Sequence, residues 1–99
     1  MHDFNDRCYE LLKQIPKGKV TTYKEIAHAL HTKAYRAVGN AMANNKYLIT
    51  LPCHRVVRSD GHIGGFAKGM HEKKRLLISE GIAINEDKIV NFEKYLYHF

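Results

Sequence analysis

Cysteine is scarce in this sequence: its 99 residues contain two, Cys8 and Cys53, and neither stands in a Cys-x-x-Cys pair. That argues against the disulfide framework that staples small secreted domains and fits reduced thiols in a cytoplasmic setting, or a nuclear one in a eukaryote. Long hydrophobic runs are missing too, the apolar stretches being only a few residues each, far short of a membrane span. The opening residues, Met1-His2-Asp3-Phe4-Asn5-Asp6, have neither the cationic flank nor the apolar core of a secretion signal. There is no repeat, low-complexity tract or linker, so the chain reads as one intracellular domain over 1–99, expected as a monomer. A chain of this length builds only a small core and modest stability.

Acidic residues are outnumbered: 10 Asp and Glu face 16 Lys and Arg, a net charge of +6, with seven His besides. This balance suits a polyanionic partner, because phosphate contacts and counterion release supply much nucleic-acid affinity. Charge alone does not separate nucleic-acid binders from other basic proteins. Charged residues at 26% and apolar ones spread throughout are the composition of a folded globule.

Phe4, Cys8, Leu11, Leu12 and Ile15 recur at three- and four-residue steps, predicting an amphipathic helix that Pro16-Lys17-Gly18 stops. Lys19-Val20-Thr21 reads as a short extended piece. Thr22-Tyr23-Lys24-Glu25 has capping-box spacing, with Thr22 as N-cap and Glu25 reaching back, ahead of a helix through Ile26, Ala27 and Leu30. A second helix from about Lys33 to Asn44 completes the outline of a helix-turn-helix. That helix is rich in small residues, namely Ala34, Ala37, Gly39, Ala41 and Ala43. A mid-helix glycine costs roughly 1 kcal/mol against alanine, so Gly39 serves either tight packing in a small core or close approach of something from outside. Val56-Val57-Arg58 reads as a strand, Ser59-Asp60-Gly61 as a turn, and Leu76, Leu77 and Glu80 as part of a helix closed by Gly81. From Asn85 to Phe99 the apolar positions Ile89, Phe92, Leu96 and Phe99 predict helix. The expected fold is mainly α, a small winged helix-turn-helix-like domain with a few short strands.

A thiol is a useful nucleophile only as thiolate, which needs a nearby base or positive field. Cys53 is followed by His54 and Arg55, and Pro52 stiffens the chain before it. A Cys-His dipeptide alone is weak ground, since adjacent side chains need not touch. The longer string Pro52-Cys53-His54-Arg55-Val56 carries more, because it resembles the active-site motif of the O(6)-alkylguanine-DNA alkyltransferases, the methylated-DNA–protein-cysteine methyltransferase family. The likeness extends over about 4–82, with Gly18-Lys19-Val20-Thr21-Thr22-Tyr23 and Arg36-Ala37-Val38-Gly39-Asn40-Ala41-Met42 in order and spacing. It corresponds to that family's C-terminal, DNA-binding domain, leaving 83–99 as an extra tail. The family's N-terminal domain has no counterpart in these 99 residues, which bears on stability more than on chemistry.

The resemblance implies a single-turnover transfer of an alkyl group from the O6 of guanine in duplex DNA to Cys53, after base flipping through the minor groove, with no cofactor and no metal. Under it, His54 takes the thiol proton through a water, Glu80 orients the imidazole, and Asn45 braces the active-site turn. Tyr23 crowds a phosphate, helps rotate the nucleotide outward and protonates the departing guanine. Arg36 fills the gap in the base stack; Ala37, Gly39 and Ala41, with Ala34, let the helix backbone approach the narrow groove; and Arg55 joins the DNA contacts. Pro52, Val56, Phe66 and Ala67 form the base pocket. Phe66-Ala67-Lys68 departs from the family pattern of Tyr-Ser or similar polar residues, so a backbone amide would have to bind the base edge. The tail either packs onto the surface left by the missing domain or is a disordered or dimerising end.

Other features carry less. His28 and His31 have metal-ligand spacing but no third partner, and His62, His71 and His98 read as surface residues. Lys73, Lys74 and Arg75 read as a solvated helix face, with phosphate contact as the sharper option. Cys8 reads as an inert core thiol. Two rival functions remain in view. A non-catalytic alkyltransferase-like lesion sensor fits the short length, yet such proteins characteristically replace the acceptor cysteine, commonly with Trp, and this chain keeps Cys53 and has no Trp. A small winged-helix regulator leaves Cys53, His54, Asn45 and Glu80 unexplained.

Overall fold

The structure is a computed structural model that describes residues 4–44, 51–65 and 69–99. Helix α1 (Phe4–Leu12) turns Cys8 and Leu12 inward. It stops a turn before Ile15, where the amides of Gln14 and Ile15 bond three residues back, to Leu11 and Leu12, and tighten the end. Strand β1 (Thr21–Thr22) leads directly into α2 (Tyr23–Ala29). Thr22 caps α2, its Oγ1 accepting from the Glu25 amide at 3.0 Å. The Glu25 carboxylate meets His98 from the tail, 3.4 Å away. After a turn with His31 at φ +58, α3 (Tyr35–Ala43) begins two residues later than the sequence predicts and packs across α2 and α1. The Thr32 hydroxyl accepts from the Ala34 amide and organises that start.

A 3-10 turn over Cys53–Arg55 then feeds β2 (Val56–Val57), which pairs in parallel with β1. Successive strand residues face opposite ways, and here that alternation divides the core. Val56 joins Cys8, Leu12, Ile26, Val38 and Met42 on the helix-turn-helix side. Val57 joins Val20, Ile63, Leu77 and Ile82 on the other. Helix α4 (Met70–Ser79) packs against the 3-10 turn and ends before Gly81, whose φ of +92 favours glycine. No helix among the described residues is long and apolar enough to cross a membrane.

The tail is not the helix that its apolar spacing predicts. Strands β3 (Ile84–Asn85) and β4 (Lys88–Ile89) form an antiparallel hairpin with Ile84 opposite Ile89. Its two-residue turn has Glu86 at φ +49 and Asp87 at φ +67, the paired left-handed geometry whose twist matches the strands it joins. Asn91, also left-handed, opens the short α5 (Phe92–Tyr95). The apolar residues of the tail therefore reach the core from a hairpin and a single helical turn. Phe92 and Tyr95 pack on the Val57 side of the core, with Ile89 buried there.

Beyond α5 the chain pairs with the residues leading into β1. Val20 donates its amide to the Tyr95 carbonyl at 2.9 Å and accepts from the Tyr97 amide at 2.7 Å. The Thr21 hydroxyl donates to the Tyr97 carbonyl at 3.1 Å. The tail thus packs onto the domain as a third extended segment. Val20 and Thr21 are fully buried, so ending the chain after Asn91 should strip partners from interior backbone and cost about 2 kcal/mol or more. Urea unfolding of the shortened chain tests this, and an unchanged midpoint would show that the tail adds no stability.

Candidate active site and DNA-facing helix

The pairing of β1 with β2 brings the two halves of the site together. Thr21 is opposite Val56 and Thr22 opposite Val57, so the register continues to Tyr23 beside Arg58. Those two residues, with Ser59 and Asp60, line an open hollow of about 330 Å³. Gly64 borders the same place: a β-carbon there would make ordinary van der Waals contact with Tyr23 Oη at 3.6 Å and Arg58 Cγ at 3.5 Å, and it is the φ of +74 that favours glycine. Burial raises the Tyr23 phenol above its ordinary range, negative charge on Cys53 adds to this, and Arg58 opposes it. Tyr23 therefore stays protonated near neutrality and senses the charge on Cys53.

Cys53 starts the 3-10 turn, is 4% exposed, and has Pro52 as the residue before it at φ −82. His54 is equally enclosed and bonds through Nε2 to Glu80 Oε2 at 3.1 Å. An ionised carboxylate can only accept, so Nε2 carries the proton and Nδ1 is the acceptor of the neutral ring. Burial lowers the His54 pKa, outweighing the hydrogen bond and charge of Glu80 that raise it; Arg55 and Lys73 lower it further. A neutral imidazole of fixed tautomer is a base ready to take a proton.

Arg55 is corrected from its expected place at the DNA surface. Its Nε and one terminal nitrogen grip Glu80 at 2.9 and 2.6 Å, and the other terminal nitrogen donates to the Ile15 carbonyl at 2.8 Å. The guanidinium is committed inward and holds the carboxylate that orients His54. The Val56 side chain is wholly within the core, which leaves only its backbone to border a base pocket. Ala41 is buried as well, with its carbonyl accepting from the Tyr9 hydroxyl at 2.8 Å, so its small side chain lets α1 approach α3.

The outer surface of α3 differs. Arg36, Asn40 and Ala43 are exposed, Ala37 and Gly39 half-buried, and nothing lies within 4 Å of where a Gly39 side chain would begin. Among the described residues no packing requires a glycine there. His28 and His31, with Thr32 and Lys33, line a separate open hollow of about 290 Å³. Among the described residues no three His, Cys, Asp or Glu side chains gather to hold a metal. Cys8 is a buried core thiol whose pKa is pushed up to about 11 by burial, against a small opposing effect of Arg7. Asn45, Phe66 and Ala67 lie outside the described residues.

Lys73 is the residue that the sequence reading missed. Lys74 pairs with Asp87 and Arg75 with Glu72, but Lys73 is only 1% exposed. Its Nζ donates to the Val56 carbonyl at 2.6 Å and the Gly65 carbonyl at 3.0 Å. Burial lowers its pKa to about 8, and negative charge on Cys53 opposes the fall. The signal was positional: Lys73, Leu77 and Glu80 follow one another at four- and three-residue steps on one face of α4.

Glu80 is drawn up by burial, but the hydrogen bonds from Arg55 and His54 prevail and hold its carboxyl below the ordinary value of 4.5. Its folded pKa being depressed, its stabilisation is present above that value and is lost as pH falls through the folded pKa. Thermal unfolding from pH 6 to 3 should show this decline, and Glu80→Gln should flatten it. Arg55→Ala breaks a half-buried, charge-assisted pair and should cost about 2 kcal/mol or more while leaving the salt dependence of DNA binding unchanged. A stable Arg55→Ala protein with a shallower salt slope would return Arg55 to the DNA surface.

Residues 3–82 match the family model described as the 6-O-methylguanine DNA methyltransferase DNA-binding domain. A methylated-DNA–protein-cysteine methyltransferase of Thermococcus kodakarensis is 50% identical over 80 residues, 80% of this chain and 45% of that protein. A bifunctional methyltransferase/endonuclease of Picrophilus torridus is 41% identical over 97 residues, 97% of this chain and 32% of that protein. The chain thus spans about half or less of the length of these curated relatives. Among solved structures, S. pombe Atl1 in complex with damaged DNA containing O6-carboxymethylguanine superimposes with a TM-score of 0.86 at 30% identity, covering 100% of both chains. The match over 3–82, on the fold and residues described above, places the chain in the 6-O-methylguanine DNA methyltransferase DNA-binding-domain family.

Proposed function

We propose that the protein repairs alkylated guanine in double-stranded DNA by direct, stoichiometric transfer of the alkyl group to Cys53. The observation that carries this reading is the thiol at the head of a buried turn, followed by a neutral His54 whose tautomer Glu80 and Arg55 fix. His54 Nδ1, through a water, takes the thiol proton. The sulfur then attacks the alkyl carbon, forming the S–C bond as the C–O bond breaks, and the electron pair leaves with the guanine. Tyr23 gives the guanine a proton and regains one from solvent. The thioether is not reversed, so each molecule acts once.

DNA binds through the minor groove along the outer side of α3, where Ala37 and Gly39 let backbone come close and Arg36 enters the base stack. Alkylated guanine pairs poorly, which lowers the cost of extrusion and supplies part of the selectivity. In the base pocket Pro52 backs the flipped base beside Phe66 and Ala67. Asn45 braces the turn that carries Cys53.

A second reading is lesion binding without transfer, favoured by the likeness to the S. pombe Atl1 chain seen with damaged DNA. Retention of Cys53 in the His54–Glu80 setting favours transfer. Cys53→Ala should abolish methyl transfer from a duplex carrying O6-methylguanine while preserving lesion-selective binding; transfer that survives would move the acceptor elsewhere. Arg36→Ala should slow repair of duplex far more than reaction with free alkylated guanine, and equal losses on both would remove the intercalating role.

A further inference from the structure

The turn that follows β2 is stitched to the tail hairpin on one side and faces Tyr23 on the other. His62 bridges to Lys88, the Ile63 amide donates to the Asp87 carbonyl at 2.9 Å, and the Ile89 amide donates to the Gly61 carbonyl at 2.9 Å. Within the turn the Arg58 amide donates to the His62 carbonyl at 2.9 Å, and the His62 amide to Asp60 Oδ1 at 3.0 Å. One further bond is of another kind. The Gly64 amide donates to Nδ1 of the His62 imidazole at 3.0 Å, which holds Gly64 beside Tyr23 and Arg58. A ring nitrogen accepts only while it lacks a proton, because both nitrogens of the imidazolium are donors. The backbone bonds of the turn are indifferent to pH. The bond from the His62 amide holds the Asp60 carboxyl below its ordinary value of 3.8, with desolvation opposing and the charges of Arg58, Lys88 and His62 assisting. As pH falls, the bond to Nδ1 therefore gives way before the one to Asp60. The charged groups around His62 are Arg58 and Asp60 from its own turn, Lys88 from the hairpin, and Asp87 paired with Lys74 of α4. Helix α5 meets the turn through Phe92 and α2 through Tyr23, both uncharged near neutrality.

We propose that His62 is a positioning residue for the transfer step, a proton-sensitive clasp on Gly64. While the imidazole is neutral it seats Gly64 against the Tyr23 hydroxyl, and when Nδ1 takes a proton from solvent it lets Gly64 go. The inference rests on the reading of Tyr23 as the residue that gives the departing guanine its proton, but the clasp itself exists without DNA. Gly64 is buried at a φ of +74, one of several conformations open to glycine, so a bond from outside its own backbone selects this one. The hairpin keeps Gly61, His62 and Ile63 pinned in either state, which confines the change to the side of the turn that faces Tyr23. Released, Gly64 no longer walls the hollow beside Tyr23 Oη, and a phenol less closely held is a poorer donor to a group fixed in one place. Histidine is the side chain whose charge ordinarily changes within the physiological range, so the clasp couples the geometry around Tyr23 to pH.

The test begins without DNA. Protection of the Gly64 amide against hydrogen exchange, corrected for the pH dependence of free-amide exchange, is followed by NMR alongside the titration of the His62 ring. In the unsubstituted protein it should fall about fivefold to tenfold as the ring is protonated, the worth of one ordinary hydrogen bond, with the same midpoint as the ring. In His62→Asn, whose side-chain oxygen can stand in for Nδ1 and does not titrate, protection should stay level over the same range. In His62→Ala it should be low throughout. Protection that ignores the His62 titration in the unsubstituted protein overturns the proposal, and that measurement depends on no variant. The link to repair is read from the single-turnover rate of transfer from an O6-methylguanine duplex at pH 8 and pH 6. The other titrating groups are the same in both proteins, so a steeper fall in the unsubstituted protein than in His62→Asn isolates the clasp; equal falls overturn its part in transfer. If the protein binds lesions without transferring, the Gly64 measurement still decides the clasp, so the two readings fail separately.

Discussion

The half-buried carboxylate of Glu80 is the constraint on which the rest of the site depends. It stands at the end of α4, accepts from His54 and twice from Arg55, and through Arg55 is tied to the Ile15 carbonyl beyond α1. One acidic group therefore joins the end of the first helix, the turn carrying the nucleophile and the last long helix. An ion pair so enclosed is a poor source of net stability, because desolvation consumes most of what the attraction returns. Its value is geometric. Accepting from Nε2 leaves Nδ1 as the basic nitrogen, and gripping Arg55 keeps the 3-10 turn in register with β2.

The strand pair supplies the second constraint. Two residues on each side suffice, because each strand leads straight into or out of a functional element: β1 into Tyr23, the 3-10 turn into β2. The tail completes this small sheet from the other side by pairing with Val20. A domain this short has little core, and Ile89, Phe92 and Tyr95 enlarge the half of it that supports α4.

Much of this was legible in the sequence, for reasons that differ by element. The helix-turn-helix could be read because Thr22 is a local cap and the apolar spacing of both helices answers to one buried side. The family resemblance drew attention to Cys53, His54 and Glu80, and the hydrogen bonding explains why those residue types work together. Arg55 misled because a surface role is the ordinary expectation for a guanidinium, and its true partner is 25 positions away. Ala41 and Gly39 looked alike in a small-residue helix, yet one is buried under Tyr9 and the other has no described residue within 4 Å of where a side chain would begin. The tail misled because Ile89, Phe92, Leu96 and Phe99 fit a helical period, while the turn at Glu86-Asp87 lacks the glycine that usually announces such a hairpin. Lys73 was hidden in a basic run, where only its position on the face shared with Leu77 and Glu80 set it apart.

The central claim is that Cys53 receives the alkyl group, and intact mass tests it most directly. The protein is incubated with a duplex containing a single O6-methylguanine, weighed, and then digested. The account predicts a gain of one methylene, roughly 14 Da, on every molecule that has met a lesion, located on the peptide containing Cys53. An unchanged mass under conditions of tight, lesion-selective binding would contradict it and leave a protein that recognises damage without removing it.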